Sequence, residues 1–183
     1  KKFYIVRDRM GEKPLYYGWQ NEYFFFGSEL KAIKSNINFN PHKDFDALIM
    51  QHPEEQSLAQ GGSMNAGLLS TKLGIRGIPL EAEVLQVDRD IRLAEMTNSR
   101  LHFFNITTTL ALQSIKSAQL RGSKITCSTS PHYFNLTEED IRKWRTFAKV
   151  SPPLRDKKNM ESVKTGIAKD IISCISSDHS PHD

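Results

Sequence analysis

The spacing of apolar residues changes character near residue 46, and no single regular architecture satisfies both sides of that change. Before it, short β-favouring runs alternate with tight turns. Phe3, Tyr4, Ile5 and Val6 predict a strand, and Arg7 to Gly11 a polar turn. Pro14 to Tyr17 starts a second strand and Tyr23 to Gly27 forms a third, with Asn21-Glu22 as the hairpin link between them. Ser28 can cap a helix beginning at Glu29, and Asn36 to Asp44 reads as a loop. After residue 46 the periods lengthen. Ala47 to Met50 is a short apolar run, and Glu54 to Gly77 reads as a long polar, glycine-rich stretch. Leu80, Val84, Val87, Ile91 and Ala94 recur at helical spacing behind Pro79. A strand at Leu101 to Thr107, a helix at Leu110 to Leu120 closed by Gly122, and a strand at Lys124 to Thr129 follow. Thr137 with Asp140 opens another helix, Ser162 to Lys169 is helical, and Ile171 to Ser176 is the last strand.

Strands that alternate with helices imply parallel pairing through crossovers, so residues 47–183 predict an α/β architecture. Residues 1–46 predict a small β-rich piece of a different fold. Composition is consistent with folded chain throughout: 38% of the 183 residues are hydrophobic and 25% charged. No apolar run approaches the length needed to cross a bilayer, and no charged segment with an apolar core opens the chain, so neither a membrane span nor a secretory signal is expected. The net charge of +4 is spread along the chain without a basic block, which gives no footprint for nucleic acid. Cys127 and Cys174 cannot make a disulfide framework or a zinc knuckle. A reducing, cytoplasmic setting fits them best.

In an α/β barrel the reactive side chains gather where the strands end. His52 follows the first strand of the α/β part, Asn105 lies near the end of the next, His132 follows the third, and Asp178, His179 and His182 follow the last. Imidazoles with a carboxylate can hold Zn²⁺ and activate water. The plainer alternative is that polar residues end most strands, and an isolated histidine is usually a hydrogen-bonded loop residue. Asp178 to His182 is the densest cluster, two imidazoles and a carboxylate within five residues. Glu54-Glu55 could do acid–base work but reads more simply as a solvated face, and Lys157-Lys158 as a solvated turn. Trp144 and Phe147 read as packing. No glycine elbow surrounds Ser128, Ser130, Ser176 or Ser177, and no phosphate-binding glycine motif occurs.

Several long, ordered motifs then carry a resemblance. They are Gln51-His52-Pro53-Glu54-Glu55-Gln56-Ser57-Leu58, Gly61-Gly62-Ser63-Met64-Asn65-Ala66-Gly67, and Ser70 to Pro79. Arg89 to Glu95, Arg100-Leu101-His102, Ser130-Pro131-His132, Pro152-Pro153-Leu154-Arg155 and Ser177 to His182 complete the set. Residues 47–183 resemble class I dihydroorotase, a zinc amidohydrolase of pyrimidine synthesis. The resemblance implies the last four strands of a (βα)₈ TIM barrel. In the intact family, metal-bound hydroxide opens the ring of dihydroorotate to N-carbamoyl aspartate. By that resemblance His52 falls on a zinc-binding histidine, Asp178 on the catalytic carboxylate that also touches zinc, and His182 on a histidine that binds the substrate carboxylate. Ser151 replaces a substrate-contacting asparagine, and Asn105 stands where the family places another histidine ligand. An amide is a poor zinc ligand beside imidazole. His102, three positions away on an alternating strand, would face the other side.

Residues 1–46 resemble something else. Val6 to Tyr17 and Phe26 to Ile33 look like the end of the glutaminase domain of glutamine-hydrolysing asparagine synthetase, a fold with an N-terminal nucleophile. The chain therefore reads as a junction of two unrelated enzyme fragments. Three functions follow as expectations: a dihydroorotase-like fragment that is inactive alone, a glutamine amidotransferase-like fragment, and a non-catalytic partner of aspartate transcarbamoylase. Self-association is expected of a half barrel with two open edges.

Overall fold

The computed structural model describes residues 16–20, 22–27, 32–33, 35–36 and 48–179. The chain divides into two compact units, residues 1–44 and residues 45–183. In the first, β1 (Tyr16–Gln20) and β2 (Tyr23–Gly27) form an antiparallel hairpin whose register pairs Gln20 with Tyr23. Glu22, a turn residue between them, belongs to the link expected from the sequence. The aromatic residues of β2 pair by the two-residue period of a strand, Tyr23 with Phe25 and Phe24 with Phe26. Ala32 and Ile33 are helical, while the strand expected at Lys2 to Val6 lies outside the described residues.

The second unit is built on four parallel strands in the order β3 (Leu48–Gln51), β6 (Arg100–Phe103), β7 (Ile125–Thr129) and β8 (Cys174–Ile175). Each neighbouring pair is parallel, so each connection is a crossover. Helix α3 (Glu81–Thr97) precedes β6, α4 (Thr109–Leu120) joins β6 to β7, and α7 (Lys157–Ala168) precedes β8. Helix α4 packs on both α3 and α7, which makes one helical layer over one face of the sheet. The core lies between these layers. Leu101, Phe103, Ile125 and Cys127 meet Val87, Ile91 and Ala94 from α3, Ala111, Leu112, Ile115 and Ala118 from α4, and Val163 from α7. Burial pushes the Cys127 thiol up to about 12, so it behaves as a small core hydrophobe.

Four local expectations are corrected. Glu54 to Gly77 is not a plain loop. It holds α1 (Gln56–Ala59), β4 (Met64–Asn65), α2 (Leu68–Leu73) and β5 (Gly77–Ile78), with β4 and β5 paired in parallel. Its glycines allow close approach rather than disorder: a Cβ on Gly77 would lie 2.3 Å from the Ala66 Cα. Lys157 and Lys158 are not a turn but the first residues of α7, because Asp156 caps that helix by accepting from the Asn159 N–H. Strand β6 ends at Phe103, since Asn105 adopts a left-handed φ of 52° that breaks the extended run. Strand β8 spans two residues, because the Ile171 and Ile172 N–H groups are bound to the Gly166 carbonyl at the end of α7. Beyond α4 the chain forms α5 (Pro131–Asn135), a 3₁₀ turn at Glu138–Asp140 and α6 (Ile141–Trp144). The expected capping box is present there, with Thr137 and Asp140 bonded reciprocally.

A buried ionic cluster fixes the chain beyond β6. The Glu83 carboxylate, 1% exposed, accepts from the backbone N–H and the hydroxyl of both Thr107 and Thr108. Arg155 lies 3.9 Å from it and donates to the Thr107 hydroxyl at 3.1 Å, to Asn65 Oδ1 at 2.9 Å and to the Ile78 carbonyl at 3.2 Å. Asn65 in turn donates to Glu138 at 2.6 Å. The helical period of α3 puts Glu83 on its buried face, where an unpaired charge would be very costly. Removing one partner of such a pair costs about 3–5 kcal/mol. Glu83→Ala is expected to destabilise the second unit by that order and to strip hydrogen-exchange protection from the Thr107 and Thr108 amides. Retention of protection there would show that Glu83 does not hold this segment.

Candidate functional site

The parallel strands bring their C-terminal ends to one edge of the sheet, and the candidate residues follow those ends in order. His52 follows β3 directly, Asn105 comes two residues after β6, Ser130 follows β7, and Asp178 comes three residues after β8. The chain between β6 and Asn105 stays tied to both neighbours. Phe104 N–H donates to the Gln51 carbonyl at 2.8 Å and Ile106 N–H to the Ser128 carbonyl at 2.9 Å.

The centre of the site is a side-chain network around Asn105, 4% exposed. Its Nδ2 donates to Asp178 Oδ1 at 2.8 Å. Its Oδ1 accepts from Ser130 Oγ at 2.8 Å and from Ser176 Oγ at 3.3 Å, and the two serine hydroxyls lie 3.0 Å apart. The partners fix the orientation of the amide. An ionised carboxylate only accepts hydrogen bonds, so the NH₂ group must face Asp178 and the carbonyl must face the serines. Asp178, at a left-handed φ of 49°, turns its second oxygen toward His132, whose Nε2 lies 3.5 Å away. That separation is within ion-pair reach, but Nε2 is buried and makes no hydrogen bond. Burial holds the His132 imidazole below its ordinary value, against the smaller opposing pull of Asp178, so the contact joins a carboxylate to a neutral ring.

These residues do not fit a metal ion. Beside Asp178, Asn105 presents N–H groups where a ligand would present a lone pair, and its carbonyl is occupied by two hydroxyls. Among the described residues no three His, Cys, Asp or Glu side chains are grouped to hold a cation. His52 is exposed at the end of β3. His102 is buried with its Nδ1 2.8 Å from Thr126 Oγ1 and its ring edge-on to Phe104, so it is engaged in packing. Strand alternation does not relate His102 to Asn105, because the strand ends between them at Phe103.

The other candidates take different roles. His182 lies outside the described residues. Ser151 is exposed and reaches Glu54 Oε2 at 3.5 Å. Glu55, rather than being a solvated face, caps α1: it accepts from the Ser57 N–H and hydroxyl and from Gln86 at 2.6 Å. Those bonds, the Ser57 hydroxyl first, lower its carboxyl below the usual range. Sequence reasoning did not give Ser130 and Ser176 a place in the site. Their position directly after two strand ends was the available signal.

Residues 1–63 match the glutamine amidotransferase domain family. The dihydroorotase of Syntrophotalea carbinolica is 46% identical over 140 residues, which cover 76% of this chain and 33% of that protein. The dihydroorotase of Acetivibrio thermocellus is 44% identical over 138 residues, 75% of this chain and 32% of that protein. The chain thus spans about a third of the length of the curated relatives it matches. Among solved structures it is similar to dihydropyrimidinase from Brevibacillus agri NCHU1002, at 25% identity and a TM-score of 0.60 over 75% of this chain and 31% of that one. It is also similar to D-hydantoinase from Bacillus sp. AR9, at 28% identity and a TM-score of 0.60 with the same coverage. These likenesses agree with the observed α/β fold and its parallel sheet.

The buried histidines make stability pH-dependent. Burial lowers His102 below its ordinary value of 6.5, so the unfolded chain binds the proton more readily than the folded one. Stability is then complete above about 6.5 and erodes as the pH falls from there through the lowered folded value. Urea midpoints measured at pH 7, 6 and 5 should fall with pH, and His102→Gln should flatten that slope. A slope unchanged in the variant would remove His102 from the explanation.

Proposed function

We propose that residues 47–183 form the last four strands of a dihydroorotase-like (βα)₈ barrel. The parent chemistry is the reversible ring opening of dihydroorotate to N-carbamoyl aspartate, and this chain alone does not carry it out. The carrying observation is the hydrogen bond from Asn105 Nδ2 to Asp178 Oδ1. It leaves the carboxylate matched to the family's proton shuttle bound to an amide donor, at the position where the family has an imidazole ligand. The sequence likeness to dihydroorotases and the structural likeness to cyclic-amide hydrolases support the substrate class.

The residues present can orient and move a proton but cannot activate water strongly. Asp178 could act as a base, with His132 beside it as a neutral ring. General acid–base catalysis typically contributes about 10²–10⁴-fold, which is too little for amide hydrolysis at neutral pH. In this reading Ser151 and His182 belong to the substrate side of the site, while His52 and Asp178 are the remnants of a zinc site.

The match of residues 1–63 to a glutamine amidotransferase domain favours a second element of the reading. We assign residues 1–46 to an asparagine synthetase-type glutaminase fragment, which makes the chain a fusion of two enzyme pieces. Residues 1–63 contain no cysteine, so the thiolate chemistry of such glutaminases has no nucleophile within the matched segment. The amide at position 105 also suits a non-catalytic dihydroorotase-like subunit, and stable comigration with an aspartate transcarbamoylase would favour that role.

The purified chain, supplied with Zn²⁺ and dihydroorotate, is expected to show no ring opening by ultraviolet absorbance and no stoichiometric zinc after dialysis. Turnover that disappears in Asp178→Ala would overturn the reading, because it would make this chain a working hydrolase.

A further inference from the structure

The four-stranded sheet of the second unit ends in strands whose apolar side chains remain in solvent. On β3, Leu48, Ile49 and Met50 are 45%, 52% and 53% exposed, and on β8 Ile175 is 52% exposed. Position in the sheet, not residue type, causes this. The register pairs Ile49 with Leu101, so both lie on the face that carries the helices, yet Leu101 is 3% exposed. Among the described residues β3 pairs only with β6, and β8 only with β7. Two parallel edges with exposed apolar side chains are an association hazard unless something pairs with them.

We propose that two copies of this chain close one eight-stranded parallel ring, with β3 of each copy paired to β8 of the other about a two-fold axis along the strands. The inference rests on the four-strand barrel reading and not on any catalytic activity. Three observations select a second copy and this arrangement. The sheet supplies four strands, half of the eight that close a parallel barrel. All four run in one direction, so a two-fold axis along them keeps both new pairings parallel and leaves no open end. The exposed apolar residues sit on the two terminal strands, whereas Met50, His102 and Thr126 make the other sheet face mixed in polarity. Stacking two sheets face to face would bury that mixed surface and leave both edges bare.

Closure also completes the order of strand ends around the rim. Going round one copy, the sequence is His52, Asn105, Ser130 and Asp178. The next strand end belongs to β3 of the second copy, so His52 of one chain stands beside Asp178 of the other. The site is then shared between the two chains.

The test uses the full 183-residue chain. Sedimentation or light scattering at micromolar concentrations should give twice the 20.9 kDa chain mass. The double variant Ile49→Lys, Met50→Lys should halve that mass. Leu120→Lys, on the exposed end of α4, should leave it unchanged. Cys174 on β8 is exposed and Cys127 is buried, so a mild oxidant should join Cys174 of one copy to a cysteine introduced by Leu48→Cys or Met50→Cys in the other. A monomer, an open series of oligomers, or a dimer that cross-links only through Cys174 to Cys174 would overturn the ring. Hydrogen exchange of β6 and β7 separates the two ideas. Protected strands in a monomer sink the ring but leave the four-strand unit standing, and unprotected strands sink both.

Discussion

The second unit depends on a carboxylate that is almost wholly shielded from solvent. Glu83 sits on the inward face of α3 and meets the segment after β6, where Thr107 and Thr108 present two N–H groups and two hydroxyls to it. A charge buried in this way is tolerable only when every lone pair is engaged and a counter-charge is near. Arg155 supplies the counter-charge, and burial lowers its own affinity for a proton while Glu83 pulls the other way. Because Arg155 also binds Asn65 and the Ile78 carbonyl, the cluster ties the β4–β5 pair, the turn after β6 and the approach to α7 to one point. The left-handed turn at Asn105 lies two residues before Thr107. Fixing the threonines therefore restricts where the Asn105 amide can point.

Much of this was legible in the sequence, for identifiable reasons. The hairpin, the long helices and the parallel order followed from periods of two and 3.6 and from their alternation. The motif residues His52, Asn105 and Asp178 were placed at strand ends, and the structure brings Asn105 and Asp178 into direct contact. The ionic cluster was not legible. Glu83 and Arg155 are charged, and charge in a sequence reads as surface unless the partners are known. Those partners lie 24 and 48 residues from Thr107 along the chain. The Glu54 to Gly77 stretch failed for a related reason. Its elements are two to six residues long, shorter than any periodicity can resolve, and are held by caps and by the close approach at Gly77. The ends of β6 and β8 were overestimated because β-favouring residues continue past the points where Asn105 and the end of α7 turn the backbone.

The Asn105 network shows how a single side chain changes what a site can do without altering the scaffold. A carboxylate at a strand end needs compensation for its charge. Metal cations provide it by direct ligation, and so do hydrogen-bond donors, but the two solutions need opposite chemistry from the neighbouring residue. An imidazole offers a lone pair to a cation. The Asn105 NH₂ offers a proton to Asp178 itself, while Ser130 and Ser176 satisfy the carbonyl. Once these bonds are made, a cation at Asp178 Oδ1 would have to displace a donor and leave the amide unpaired in a buried position, where an unmade hydrogen bond costs roughly 1–3 kcal/mol. Ligation through that oxygen would have to offset that cost. The fold carries the likeness to cyclic-amide hydrolases, but the chemistry is decided by the groups at the strand ends. Here Asn105, Asp178, Ser130 and Ser176 form a hydrogen-bonded cluster, and that cluster is the physical reason for treating fold and activity as separate questions in this chain.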